Sequence, residues 1–189
     1  WCAVSTHSGE EIFCAEVHKL LVKSYKNVKT IIIPRHINRV NEILISLNKM
    51  GLKTQIKNEN DNINDDAEII VINYYGSVFK YYEKFKQIFI GKSLIKKFKN
   101  DGGQNPIDAA RMGCFIYHGP YVSNFKEIYD YLDTENISNT IEDKNILAKK
   151  LINNFNSNFA ENNNKIDKLN KYSKEIFQQV IKEYESIIL

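Results

Sequence analysis

Two glycine turns, each leading into a helix start, carry the residue types best suited to hold an anion. The first reads Asp101-Gly102-Gly103-Gln104-Asn105-Pro106-Ile107-Asp108. The second follows one apolar strand later and reads Gly119-Pro120-Tyr121-Val122-Ser123-Asn124-Phe125-Lys126-Glu127. Asn105 suits a helix cap, Pro106 the first helical position and Asp108 the third. Asn124 and Glu127 have the spacing of a capping box. Two helix N-termini one strand apart would cluster free N–H groups and two positive dipole ends, which suits a phosphate or a carboxylate. Asp108 reads in two ways: as a helix-start acid, or as a carboxylate accepting hydrogen bonds from vicinal ribose hydroxyls.

Three further turns carry polar residues that could face a ligand. Pro34-Arg35-His36 follows an apolar run; proline stops a strand ladder there, and Arg35 can fork two donors onto a phosphate. Ser5-Thr6-His7-Ser8-Gly9-Glu10-Glu11 places His7 either as a plain turn residue or in a cleft. Ser8 and Glu11 have capping-box spacing, and acids at a helix start favour capping by Glu10 and Glu11 over a role as general base. Tyr75-Gly76-Ser77 sets an aromatic ring on a third turn, whereas Tyr74, Tyr81 and Tyr82 read as packing residues. His18, His36 and His118 have no metal-ligand spacing and read as satisfied turn or surface histidines. No Walker A motif, no GxGxxG and no hydrolase triad order is present.

These turns must be positioned by alternating strands and helices. The pattern gives strands over residues 1–5, 30–33, 53–57, 68–72, 87–90 and 114–117, with a last extended segment over 136–141. It gives helices over 8–25, 38–50, 77–85, 106–112, 124–132, 142–155 and 165–188, with an Asn-rich loop over 156–164. Near-continuous apolar strands between helices argue for one α/β domain over residues 1–189, a Rossmann-like parallel sheet covered on both faces. Ligands of such sheets bind outside the carboxyl ends of the strands, so the turns should share one rim.

Composition narrows the function classes. A chain of 189 residues is long enough for one well-buried core. A net charge of +3 without a concentrated basic face argues against nucleic acid as a partner. Lys92, Lys96, Lys97 and Lys99 form a local cluster, either a solvated loop or a surface for an anionic ligand or lipid. Cys2, Cys14 and Cys114 match no zinc or CxxC spacing and read as reduced packing residues of a cytosolic protein. No apolar run approaches the roughly 20 residues of a membrane span. The chain opens at Trp1 inside a strand pattern, which reads as a domain excised from a longer protein.

In order and spacing, Ser5-Thr6-His7-Ser8-Gly9-Glu10-Glu11, Pro34-Arg35-His36, Gly102-Gly103-Gln104-Asn105-Pro106-Ile107-Asp108 and Gly119-Pro120 with Asn124-Phe125 resemble the carboxyl-terminal half of bacterial 3-deoxy-D-manno-octulosonic acid (Kdo) transferases. The resemblance runs over nearly the whole chain and is clearest over residues 1–128. It implies one half of a GT-B glycosyltransferase, whose two Rossmann-like domains face a cleft. The family moves Kdo from CMP-Kdo to the lipid A precursor at the cytoplasmic face of the bacterial inner membrane, with no metal in the transfer step and no cofactor. The resemblance assigns CMP-Kdo to this chain. It assigns the acceptor site, the membrane contact and the catalytic base to an amino-terminal domain outside it. Carried over residue by residue, Pro34 and Arg35 match the CMP-contacting Pro-Arg. Tyr75, Gly76 and Ser77 match a second CMP-contacting turn, and Asn105, Pro106, Ile107 and Asp108 a third. His7, Gly9, Ser123 and Asn124 fall to the donor cleft. The chain departs from the family at Ser77, usually an acid; at Asp108, usually Glu; at Gln104, usually His; and at Lys92, usually Gly. The fragment is expected to be soluble, to bind and not to turn over. The rival expectation is a non-catalytic nucleotide- or sugar-binding module that keeps the fold.

Overall fold

The strands are apolar on both faces, and their alternation sorts the core into two layers. In the first strand Cys2 and Val4 point to one side, and Trp1 and Ala3 to the other. The same split separates Ile31 and Ile33 from Ile32, Ile70 and Ile72 from Ile69 and Val71, and Ile88 and Ile90 from Phe89. A strand buried on both faces reads as an unbroken apolar run, and side chains of period two divide between the layers.

The computed structural model describes residues 1–155 and four isolated positions beyond them, Asp167, Lys171, Gln178 and Ile181. The expected loop over 156–164 and helix over 165–188 lie outside the described residues, those isolated positions apart. Seven strands form one sheet: β1 Cys2–Thr6, β2 Thr30–Pro34, β3 Thr54–Lys57, β4 Ile69–Ile72, β5 Gln87–Ile90, β6 Phe115–His118 and β7 Ser138–Thr140. Their order is β3-β4-β2-β1-β5-β6-β7 and every pairing is parallel. All carboxyl ends therefore share one edge, as the alternating pattern requires. The chain steps outward from β1 to β2 and later returns to β5 on the other side of β1, so the topological switch lies between β1 and β5.

Helices α1 Glu10–Leu21, α2 Val40–Lys49 and α6 Lys144–Phe155 cover one face, burying Cys14, Val17, Leu21, Ile43, Leu47, Leu147 and Leu151. Helices α3 Val78–Lys84, α4 Ile107–Arg111 and α5 Lys126–Thr134 cover the other, through Tyr81, Tyr82, Ala109, Ala110, Tyr129 and Leu132. The three cysteines are free and buried. No helix among the described residues is long and apolar enough to cross a membrane.

Two expected capping boxes do not form. Gly9, with φ of +100°, is the N-cap of α1, and no side chain caps that helix. The Glu11 carboxylate instead takes both ends of the Arg39 guanidinium, at 2.9 and 3.3 Å. At the second site the chain enters a 3-10 turn at Ser123–Phe125 before α5 begins. There the Asn124 side chain donates to the Asp101 carbonyl at 2.8 Å rather than accepting from α5. In both places a partner distant in sequence outcompetes the local one.

Glu10, fully buried, holds the rim together. One carboxylate oxygen accepts from the His7 and Lys92 amides at 2.9 and 2.8 Å, and the other from Ser93 and Leu94 at 2.9 and 3.0 Å. Burial pushes its carboxyl up, and the four amides pull the other way. Ser93 extends the tie to β6: its hydroxyl donates to the Ile90 carbonyl at 2.6 Å and accepts the Gly119 amide at 2.8 Å, and its carbonyl accepts Tyr121 N–H at 2.8 Å. Gly119 has no room for a side chain, because a Cβ there would overlap the Ser93 carbonyl.

Replacing Glu10 by Gln leaves one acceptor oxygen where there were two. Two amides then face an NH2 group, at about 1–3 kcal/mol each for the unsatisfied donors. Chemical denaturation of Glu10→Gln should therefore lower the unfolding free energy by about 2–6 kcal/mol. An unchanged midpoint would show that the rim does not depend on this carboxylate.

Candidate functional site

The carboxyl edge of the sheet gathers most of the polar residues singled out above. Pro34 closes β2 and is buried, and the Arg35 amide donates to the Thr6 carbonyl at 3.0 Å, fixing the turn against β1. The Arg35 guanidinium is exposed and makes no hydrogen bond or ion pair among the described residues. β4 neighbours β2, so the turn Tyr75-Gly76-Ser77 stands beside it. Tyr75 is 69% exposed, which a packing role would not leave it. Ser77 is buried, and its hydroxyl has no partner among the described residues. A buried hydroxyl left unpaired costs free energy, and a ligand acceptor would remove that cost.

The third segment starts α4, which packs against α3 on the same face of the sheet, so the 75–77 and 105–108 turns open onto one region. Asn105 acts as the expected local cap, its side-chain oxygen accepting the Ile107 amide at 2.9 Å. Pro106 is buried and Ile107 half-buried; Asp108 is exposed, with its carboxylate unengaged among the described residues. The expectation of two strong helix dipoles needs correction. α4 has five residues and the second segment begins as a 3-10 turn. Short segments sum few peptide dipoles, so side chains carry most of the positive potential.

At the ends of β1 and β2 that potential is concentrated. The His7 ring meets His36 edge-on at 5.7 Å between centroids, and Phe98 at 5.2 Å. Burial, foremost, lowers the His7 pKa; the bond to Ser5 opposes this, and the nearby His36, Lys92 and Arg39 charges lower it further. His7 Nδ1 lies 3.0 Å from the Ser5 carbonyl, so the neutral ring donates there and leaves Nε2 as an acceptor. Lys92, where the resembling family usually carries glycine, has φ of +57° and pairs with Asp101 at 3.1 Å. Glu10 and Glu11 are both spent on structure, which removes them as bases, although mainly by long-range bonds, the His7 amide being the one local donor to Glu10. Gly9 lies beside this cluster, its Cα facing the Ile95 side chain. Ser123 and Asn124 are exposed, with Asn124 bound to the 101–102 turn. No group of three or more His, Cys, Asp or Glu among the described residues is arranged to hold a metal.

Two histidines differ from the surface or turn reading. His18 is fully buried on α1, with Nδ1 2.9 Å from the Thr30 hydroxyl. His118 ends β6, 2% exposed, against the Tyr129 ring at 4.3 Å. Its Nε2 lies 3.3 Å from Asp133 and its Nδ1 2.8 Å from the Gly119 carbonyl. Asp133 also accepts from Ser138 and, at 3.1 Å, from Thr140. These groups border a cavity of about 420 Å³ at the carboxyl ends of β6 and β7. Its rim is the second glycine turn, through Pro120, Tyr121, Val122 and Ser123, which the sequence singled out, whereas its floor of His118, Tyr129 and Asp133 was not marked by any motif.

Burial by itself would raise the Asp133 carboxyl, but bonds from His118, Ser138 and Thr140 outweigh it and hold the group below the usual carboxylate range. A carboxyl held low in the folded state stabilises the fold above its unfolded pKa of about 4, and loses that contribution as pH falls through the lower folded value. Urea midpoints of wild type and Asp133→Asn should therefore converge as pH falls below about 4. A gap of constant size would show that the bonds do not favour the charged form.

Comparisons with known proteins bear on these turns. No family model matches the chain. It is 29% identical over 132 residues to the 3-deoxy-D-manno-octulosonic acid transferase of Haemophilus influenzae, covering 70% of this chain and 30% of that protein. The Aquifex aeolicus transferase of the same name is 24% identical over 149 residues, covering 79% and 40%. The chain thus spans about a third of the length of these relatives. The crystal structure of the C-terminal CMP-Kdo binding domain of WaaA from Acinetobacter baumannii shares the fold, with a TM-score of 0.72 at 20% identity over 90% of this chain and 86% of that one. The chain is therefore similar in sequence to Kdo transferases, and its fold is that of a Rossmann-like domain found at the carboxyl end of one of them.

Proposed function

We propose that this chain is the donor-binding domain of an inverting glycosyltransferase that moves Kdo from CMP-Kdo to the lipid A precursor, in lipopolysaccharide biosynthesis. The observation that carries the reading is the convergence, on the carboxyl edge of a parallel sheet, of the turns Pro34-Arg35, Tyr75-Gly76-Ser77 and Asn105-Pro106-Ile107-Asp108. The sequence is similar to a Kdo transferase over 132 residues, 70% of the chain, which supports the reading. The acceptor, the cytoplasmic face of the inner membrane and contact with it belong in this reading to an amino-terminal domain of a longer protein.

The chemistry divides accordingly. As the bond from the sugar to the CMP phosphate breaks, negative charge grows on the phosphate, and Arg35 is free to take it with two parallel N–H donors. The Ser77 hydroxyl lacks an acceptor that a nucleotide oxygen could supply, and the Asp108 carboxylate is open to the ribose hydroxyls. Tyr75 offers an exposed ring face to the base. Attack by an acceptor hydroxyl needs a general base. The two acids nearest the cleft, Glu10 and Glu11, are held by four amides and by Arg39, so the base comes from the partner domain. The same engagement favours one second reading, a binding module without turnover. Glycolipid formed by the longer protein from CMP-Kdo and lipid A precursor supports the transferase, and CMP binding without product the module.

CMP should bind the chain, and Arg35→Ala should weaken it by about 1.5–3 kcal/mol, the worth of a charge-assisted bond. Equal calorimetric affinities would remove Arg35 from the site. Asp108→Asn should weaken CMP binding while leaving the melting temperature unchanged. The opposite pattern, normal binding with a loss of a few tenths to about 1 kcal/mol of stability, would mark Asp108 as a helix-start acid only.

A further inference from the structure

We propose that the cavity at the carboxyl ends of β6 and β7 is a second ligand site, separate from the nucleotide turns, for an anionic polyhydroxylated ring such as a sugar acid or sugar phosphate. Its volume of about 420 Å³ suits a small molecule. None of the residues assigned to CMP lines it: Arg35, Tyr75, Ser77 and Asp108 all lie elsewhere on the edge. Ser123, which the resemblance assigns to the donor cleft, lines it, and the adjacent Asn124 is bound to the 101–102 turn, so the cavity abuts the loop that leads to Asn105.

The hydrogen-bonding capacity of the walls decides the class of ligand. The carboxylates are already used. Asp133 takes bonds from His118, Ser138 and Thr140, and Asp130 is held by Lys126 at 2.6 and 2.8 Å. The donors are not. The side chains of Lys99, Tyr121 and Ser123 line the cavity and make no hydrogen bond or ion pair among the described residues. The Tyr121 and Ser123 hydroxyls can donate or accept, which suits a polyhydroxylated ligand, and the Lys99 ammonium, a donor only, favours a negative charge on it. The apolar faces of Pro120, Val122 and Tyr129 suit the C–H surface of a ring, while Tyr121 and Ser123 suit its hydroxyls. The floor is preorganised: His118 is clamped between Gly119 and Asp133 and packed on Tyr129, so binding need not order it. This also gives Lys99, part of the basic cluster in the sequence, a role that solvation does not.

The chemistry is shared by two sources, the acid sugar of a nucleotide donor and a phosphorylated sugar of an acceptor; naming those sources rests on the proposed transferase function, whereas the site does not. The test is amide chemical-shift mapping on the full chain with free Kdo, glucosamine 1-phosphate, mannose and CMP as separate probes. One or both anionic sugars should shift Tyr121, Ser123 and Thr140, whether or not CMP is present, and mannose should bind at least tenfold more weakly. The tighter of the two anionic probes identifies the source. Lys99→Ala should weaken that probe about tenfold and leave CMP affinity unchanged, with Lys99→Arg restoring binding. Shifts confined to the surroundings of Arg35, Tyr75 and Asp108, competition with CMP, equal binding of mannose, or undiminished binding to Lys99→Ala would each overturn the site. Failure of CMP to bind would count against the transferase reading and leave the cavity result standing.

Discussion

One buried carboxylate sets the shape of the ligand edge. Glu10 belongs to the first turn of α1, yet three of its four amide partners come from the segment after β5, more than eighty residues away in sequence. β1 and β5 flank the topological switch of the sheet, where connections diverge and a crevice opens. Without a tie, the loops there would lose little by moving apart. The two turns that supply the amides are also strained, with Ser5 at φ of +54° and Lys92 at +57°. Residues persist in such conformations when surrounding bonds over-determine them. Through Ser93, the same carboxylate reaches Gly119 and the start of the second glycine turn.

That arrangement divides the charged groups at the edge by role. The acids nearest the cleft are consumed in holding the scaffold: Glu10 by amides, Glu11 by Arg39, Asp101 by Lys92 and Asp133 by His118 with two hydroxyls. Among the cations with no partner in the described residues are Arg35 at the end of β2 and Lys99 at the cavity. An edge built this way favours anions and has no free Glu beside its central turns among the described residues. This is what a domain needs if it presents an activated, negatively charged donor to chemistry supplied from elsewhere. Asp108 is the exception, an exposed and unengaged carboxylate at the start of α4.

The similarity to Kdo transferases and the geometry bear on different parts of this picture. Similarity covers 70–79% of the chain but only 30–40% of the relatives, so it reaches this domain and not the whole reaction. The departures are local. Ser77 removes a charge and leaves a buried hydroxyl waiting for an acceptor, and Asp108 keeps the carboxylate one methylene shorter. Lys92 accepts a left-handed backbone that glycine would hold without strain. Its amide bond to Glu10 and its side-chain pair with Asp101 compensate.

The sequence by itself determined the layers and the edge. Runs such as Ile31-Ile32-Ile33 and Ile69-Ile70-Val71-Ile72 are apolar at every buried position because both faces of the sheet are covered. Parallel strands with intervening helices then force every strand-end turn to one side. Arg35, Tyr75, Asn105 and Asp108 could be picked out for that reason, since residue type and position relative to a strand end are both local properties. What only the tertiary structure decided was the partner of each polar side chain. The capping boxes at Ser8 with Glu11 and at Asn124 with Glu127 have the right spacing and do not form, because spacing cannot register an arginine just before α2 or a carbonyl in another loop. His118 looked like a turn residue, because only folding brings Asp133 of α5 against the end of β6 and opens the cavity above them. Hydrogen bonds and ion pairs are short-ranged in space and blind to separation along the chain. The scaffold of the site was therefore legible residue by residue, and its electrostatics were not.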